Sequence, residues 1–172
     1  MIIRAATPAD AGALADIYGH HVLQGLGTFE EIPPPADDIA GRLAAVQALG
    51  LPYLVAEEGG LLGFAYAGPF RPRSAYRYAV EDSVYVAPAA IGRGVGRALL
   101  SAVIAACEAK GLRQMIAVIG DSGNAASIGL HAALGFQPAG VGRSMGFKHG
   151  RWVDIVWMQR PLNQGGDAPP EG

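Results

Sequence analysis

The sequence predicts an α/β (α+β) domain: one mixed sheet of about seven strands flanked by about four helices. Three observations carry this. Runs with two-residue apolar alternation and runs with helical spacing follow one another in the order β-α-α-β-β-β-α-β-α-β-β. Glu58-Gly59-Gly60 separates two strand-like runs by a hairpin turn, which makes those neighbours antiparallel. One long helix then joins two further strands and supplies a crossover, so the sheet is expected to be mixed rather than doubly wound.

Each element has its own signal. Ile2 to Ala5 reads as a short strand. Thr7 with Pro8 and Asp10 reads as the start of a helix whose apolar residues Leu14, Ile17, Tyr18 and Val22 recur at helical spacing. Gly25 to Thr28 breaks it, and Pro33-Pro34-Pro35 is a stiff connector. Ile39, Leu43, Val46 and Leu49 mark a second helix, stopped by Gly50 and Pro52. Tyr53 to Glu57 and Leu61 to Ala67 are strands, Gly68 to Ser74 a loop, and Tyr76 to Val86 a long strand. A helix from Gly94 to Lys110 turns Leu99, Leu100, Val103, Ile104 and Cys107 to one side. Gln114 to Ile119 is a strand, Asn124 to Leu134 a short helix closed by Gly135. Phe136 onward and Arg151 to Arg160 are the last two strands. Residues 1–162 are read as one domain and 163–172, rich in Gly and Pro, as a disordered tail.

Composition narrows the function. With 13 basic and 15 acidic residues the formal charge is -2, which excludes a general nucleic-acid binder. A single cysteine, Cys107, excludes an intrachain disulfide and a cysteine-based zinc site, and no metal is expected. Met1 to Pro8 has no basic stretch followed by a long apolar run, and no segment reaches the ~20 apolar residues of a membrane span. A cytoplasmic protein is the expectation.

The most informative stretch is Gly92-Arg93-Gly94-Val95-Gly96-Arg97-Ala98-Leu99-Leu100, where a strand ends, three alternate glycines follow and a helix begins. Glycines let a ligand approach the backbone, and the helix start offers free N–H groups and a positive dipole end. That combination suits a pyrophosphate. A P-loop would need Gly-Lys-Ser/Thr after the last glycine, and here Arg97-Ala98 follows; a dinucleotide fingerprint would need a glycine at Arg97.

What remains, G-x-G-x-G-R-A-L-L, resembles the CoA-pyrophosphate loop of the GNAT N-acetyltransferase superfamily. Asn124-Ala125-Ala126-Ser127 with Leu130-His131 and Gly135-Phe136 resembles that superfamily's later helix. The family loop usually opens with Gln or Arg where this chain has Ile91. Three segments are similar to the phosphinothricin and methionine sulfoximine acetyltransferase branch: Gly63 to Arg73, Tyr76 to Val86, and Gly146 to Asp154.

The resemblance implies the GNAT fold, acetyl-CoA as co-substrate, a small amino-acid-like substrate acetylated on its α-amino group, and a homodimer. Cofactor contacts are then expected from Val84, Tyr85, Val86, Gly92, Arg93, Gly94, Val95, Gly96, Arg97, Asn124 and Ser127. Substrate contacts are expected from Phe29, Arg71, Pro72, Arg73, Glu81, Asp82 and Ser83. The chemistry agrees: Arg71 and Arg73, two apart in an extended loop, share a side and suit carboxylate or phosphinate groups. Glu81 shares a strand face with Ser83 and Tyr85 and is the candidate general base, while Asp82 points the other way. Backbone N–H groups of Tyr85 and Val86 would stabilise the thioester oxyanion if the strand splays or bulges there. His131, where many relatives carry tyrosine, is the candidate general acid. Cys107 is a core residue, and His20 and His21, adjacent on a helix, do not make a metal pair. Trp152 and Trp157 fall on opposite faces of the last strand. Two alternatives stay open: acetylation of another amine or a protein N-terminus, and a CoA-binding module without catalysis.

Overall fold

Strand alternation divides the apolar residues between two cores on either side of one sheet. The computed structural model describes residues 1–170. Its strands are β1 (Ile2–Ala5), β2 (Tyr53–Glu57), β3 (Leu61–Pro69), β4 (Ala79–Val86), β5 (Gln114–Gly120), β6 (Gln137–Lys148) and β7 (Arg151–Pro161), and its helices α1 (Ala11–Gln24), α2 (Ala36–Ala48), α3 (Val95–Ala109) and α4 (Ala125–Ala133). The strand order is β1-β2-β3-β4-β5-β7-β6. Only β4 and β5, joined through α3, are parallel; every other pairing is antiparallel. This is the mixed seven-stranded sheet with four helices that the sequence predicts.

Leu99, Leu100, Val103, Ile104 and Cys107 of α3 pack on Val80, Met115, Ala117, Ile119 and Met158. On the other face Leu14, Ile17, Tyr18 and Val22 of α1, with Ile39 and Leu43 of α2, cover Tyr53, Val55 and Phe64. The alternation in β4 serves both layers: Val80, Val84 and Val86 face α3, and Tyr85 faces α1.

Several boundaries differ from the sequence reading; β3, for one, runs two residues further, to Pro69. Pro8–Asp10 is a 3₁₀ turn and α1 starts at Ala11, because the Asp10 carboxylate accepts from the Thr7 N–H (2.7 Å) and from both terminal nitrogens of Arg4 (2.9 and 2.8 Å). β4 starts at Ala79, not Tyr76, since the N–H groups of Tyr76 and Arg77 turn back to the carbonyls of Arg73 and Ser74. The segment after β7, expected to be disordered, is laid against the end of α3: Asn163 donates to the carbonyls of Glu108 and Leu112, and Arg113 to those of Gly165 and Ala168. The last two residues of that expected tail, 171 and 172, lie outside the described ones. No helix among the described residues is long and apolar enough to cross a membrane.

Candidate active site

The sheet opens where the glycine turn begins. β4 and β5 pair only from Ala79↔Gln114 to Asp82↔Ala117, although β4 runs on to Val86 and β5 to Gly120. Beyond Asp82 the strands part into a wedge. The Ala87 N–H donates to Leu62 O (2.8 Å) and the Phe70 N–H to Ala79 O (3.3 Å), at either end of an unbroken β3–β4 register. The two-residue period therefore directs the peptide groups of Glu81, Ser83 and Tyr85 to β3, and those of Val84 and Val86 into the wedge. This corrects the expected oxyanion donors. The Tyr85 N–H belongs to the β3 ladder, no bulge frees it, and the donors facing the wedge are Val84 and Val86.

At the mouth of the wedge stands the glycine cradle. Gly92 and Gly94 have φ of +80° and +78°, a left-handed backbone that other residues adopt only with strain, and no atom lies within 4 Å of where a Cβ would stand on either. Gly94 caps α3 without a side chain, so the first N–H groups of that helix, on Val95, Gly96 and Arg97, point out of the fold unpaired. A Cβ on Gly96 would sit 3.3 Å from Leu130 and 3.5 Å from Val86, so this glycine lets α3 start close against α4 and β4. Val95 is buried and offers only its backbone, and Arg93 is held by Glu58 at 2.7 Å. Ile91 is exposed. The cradle fits a pyrophosphate: free N–H groups, a positive helix end and no side chain in the way.

Glu81 lies half-buried on the α1 side of β4. Burial pushes its carboxyl above the usual carboxylate range, while the charge of Arg71 acts in the opposite direction. Around it Tyr85 packs edge-on to Tyr18 (5.0 Å between ring centres), and burial holds the Tyr85 phenol protonated. Arg71, Pro72 and Arg73 sit exposed in the β3–β4 loop; the Arg71 guanidinium stacks on Phe70 and donates to its carbonyl (2.9 Å).

Asp82 and His131 have other surroundings than the sequence reading supposed. Asp82, expected among the substrate contacts, is 6 % exposed on the α3 side and its Oδ2 accepts from His131 Nε2 at 3.0 Å. His131, expected as general acid, is 2 % exposed and its Nδ1 meets the Ser127 carbonyl at 2.7 Å. A carbonyl and a carboxylate only accept, so both ring nitrogens donate and the imidazole is cationic. Burial pushes the imidazole pKa down, but the hydrogen bond and charge of Asp82 outweigh it and the net direction is up. The pair ties α4 to the last β4 residue that still pairs with β5. Asn124 caps α4, its Oδ1 accepting from the Ser127 N–H (3.1 Å).

Two residues to which the sequence reading gave no site role shape the surroundings of β4. His21 reaches from α1 and its Nε2 donates to Val86 O at 2.9 Å, closing one end of the wedge. Lys148, 3 % exposed in β6, donates to Thr28 O at 2.7 Å, and the Thr28 hydroxyl meets the Tyr18 hydroxyl at 2.8 Å. These bonds clamp the α1–α2 loop, so Phe29 lies where a Cβ on Gly146 would be 2.5 Å from its ring. Neither was legible locally: the partners lie 65 and 120 residues away in sequence. Among the described residues no group of three or more His, Cys, Asp or Glu side chains could hold a metal ion.

A strand splayed from its parallel neighbour, followed by a glycine cradle at a helix start, gives an open slot with an anion-binding end, suited to a ligand that carries a pyrophosphate. Residues 3–157 match the acetyltransferase (GNAT) domain family, and the chain belongs to it. It is an acetyltransferase, and the cradle and wedge are the features that fit acetyl-CoA. The chain is 58 % identical over 170 residues to a phosphinothricin N-acetyltransferase of Alcaligenes faecalis, covering 98 % of this chain and 86 % of that one. It is 42 % identical over 165 residues to an L-methionine sulfoximine/L-methionine sulfone acetyltransferase of Salmonella typhimurium, covering 95 % and 96 %. Its fold superposes with a TM-score of 0.96 on a phosphinothricin acetyltransferase from Sinorhizobium meliloti solved with acetyl-CoA, at 46 % identity and coverage of 99 % and 92 %.

Proposed function

We propose that the chain acetylates the α-amino group of a small amino acid with a second polar or anionic head, of the phosphinothricin, methionine sulfoximine or methionine sulfone type. The carrying observation is Glu81, a half-buried carboxylate of raised pKa on β4 where the strand leaves β5. Acetyl-CoA would supply the thioester; Val84, Val86, Gly92 to Arg97, Asn124 and Ser127 would hold it, with backbone N–H groups at the pyrophosphate, while Tyr85, whose peptide group is spent on β3, would not. The substrate arrives as an ammonium, and Glu81 takes its proton directly or through water, freeing the lone pair for attack. N–H groups of Val84 and Val86 stabilise the charge that develops on the thioester oxygen. The CoA sulfur leaves as a thiolate, whose conjugate thiol has an ordinary pKa of about 8.5, so no dedicated acid is required. Arg71 and Arg73 take the substrate's acid groups in planar forks, and Phe29, Pro72 and Ser83 complete the substrate side. His131 and Asp82 position α4 and β4 instead of touching substrate.

Assay of CoA release with a panel of amino acids and their sulfone, sulfoximine and phosphinate analogues tests the substrate class. Replacement Glu81→Gln is expected to lower kcat by roughly 10²–10⁴-fold with substrate binding largely kept, and with partial rescue at high pH. A kcat within a few-fold of wild type rejects Glu81 as the base.

A homodimer through the β6–β7 hairpin belongs to the same reading. Phe147 and Trp152, 58 % and 64 % exposed with ring centres 5.3 Å apart, join Met145 in an apolar patch on that edge. Light scattering is expected to give twice the chain mass, falling to one on Trp152→Asp; a monomeric wild type at micromolar concentration removes the proposal.

A further inference from the structure

A cavity of about 650 Å³ lies at the end of β4 opposite the wedge. It is lined by the β3–β4 loop, the turn between α2 and β2, and the chain just after α3. From Val80, on its floor, to Val86 is six residues of strand, about 20 Å, so the cavity is not the pyrophosphate site. Its charge is one-sided. Arg71, Arg73, Arg77 and Lys110 line it, and among the described residues no aspartate or glutamate does.

This is unusual within the chain's own ion pairing. Of 13 lysines and arginines, Arg4, Arg42, Arg93, Arg151 and Arg160 reach carboxylates. Among the described residues, four of the eight that remain line this cavity. Two are held in place: Arg71 stacks on Phe70 at 4.4 Å, and Arg77 stacks on Tyr78 at 4.6 Å while donating to Ser74 O. Each spends one N–H on a carbonyl and keeps the others for a ligand. Leu49, Leu51, Pro69, Val80 and Leu112 form the apolar part of the lining. Cations and apolar side chains lining one cavity favour an organic anion with a short apolar body over a bare inorganic one.

We propose that this cavity binds a small organic anion, and that the bound anion engages Arg71 and Arg73 and so inhibits acetylation competitively with the amino-acid substrate. The inhibition rests on the assignment of Arg71 and Arg73 to the substrate; the binding site itself does not. Hexyl phosphate is the probe, with inorganic phosphate as the comparison. Calorimetric titration uses protein saturated with CoA, so that the pyrophosphate loop is filled.

Hexyl phosphate is expected to bind saturably, more tightly than inorganic phosphate, and to raise the KM for methionine sulfone without changing that for acetyl-CoA. The double variant Arg77→Gln, Lys110→Gln is expected to weaken that binding at least about tenfold, which is about 1.4 kcal/mol, while its kcat and KM without the anion stay at wild type. Absence of saturable binding, or binding unchanged in the double variant, overturns the site. Inhibition competitive with acetyl-CoA, or a double variant already impaired without the anion, overturns the proposal that the anion competes with the amino acid alone. If no amino acid is acetylated, the calorimetry still decides the site while the kinetics overturn the proposed function alone.

Discussion

Replacing His131 with alanine separates a residue that positions α4 from one that gives up a proton in catalysis. The Asp82 and His131 side chains are 2 % and 3 % exposed and meet at 3.0 Å. Removing one partner of a buried charge pair costs about 3–5 kcal/mol, because the other is left buried and uncompensated. Asp82 Oδ1 already lacks a hydrogen-bond partner among the described residues, so the variant leaves the whole carboxylate unpaired. For a chain of this size each kcal/mol moves the melting temperature about 2–4 °C, which gives a fall of about 6–20 °C. Asp82→Asn keeps the shape and one hydrogen bond and is expected to cost less. The pH dependence has a definite sign. Asp82 raises the native pKa of His131 above its unfolded value. The stabilisation is therefore complete below about pH 6.5, the unfolded value, and is lost as pH rises through the native pKa; Asp82→Asn is expected to flatten that slope. Circular-dichroism melts across pH, paired with kcat per folded molecule, read both effects. A melting temperature within about 2 °C of wild type, with kcat abolished, would refute the positioning role and restore His131 as the acid.

Two further outcomes follow from the geometry. Arg71 lowers the pKa of Glu81 against the upward push of burial, so Arg71→Gln is expected to move the acid limb of the kcat/KM profile to higher pH; an unmoved or lowered limb contradicts the assignment of that limb to Glu81. Gly146→Ala places a Cβ 2.5 Å from the Phe29 ring while Gly146 stays paired with Val153, so the ring must swing away. The KM for the amino acid is expected to change several-fold with that for acetyl-CoA unchanged, and an unaltered amino-acid KM removes Phe29 from the substrate side.

The elements were readable because their signals are local. A two-residue period sets Glu81 and Asp82 on opposite faces whatever lies beyond them, a 3–4 spacing gives α3 its apolar side, and alternate glycines before a helix suit a pyrophosphate in any fold. The sequence by itself therefore determined the mixed sheet, the glycine cradle and the face of β4 on which Glu81 stands. Only the tertiary structure decided what those faces meet. Asp82 is drawn from substrate to His131 because a carboxylate on the α3 side is desolvated unless a cation reaches it, and that cation comes from a helix 49 residues later. Which peptide groups face the wedge depends on where β4 leaves β5, a pairing between distant segments. Arg71, Arg73, Arg77 and Lys110 come to line one cavity only when the loop before β4 is folded against the chain after α3. Sheet order and burial set such contacts, and neither is written in any short stretch of chain.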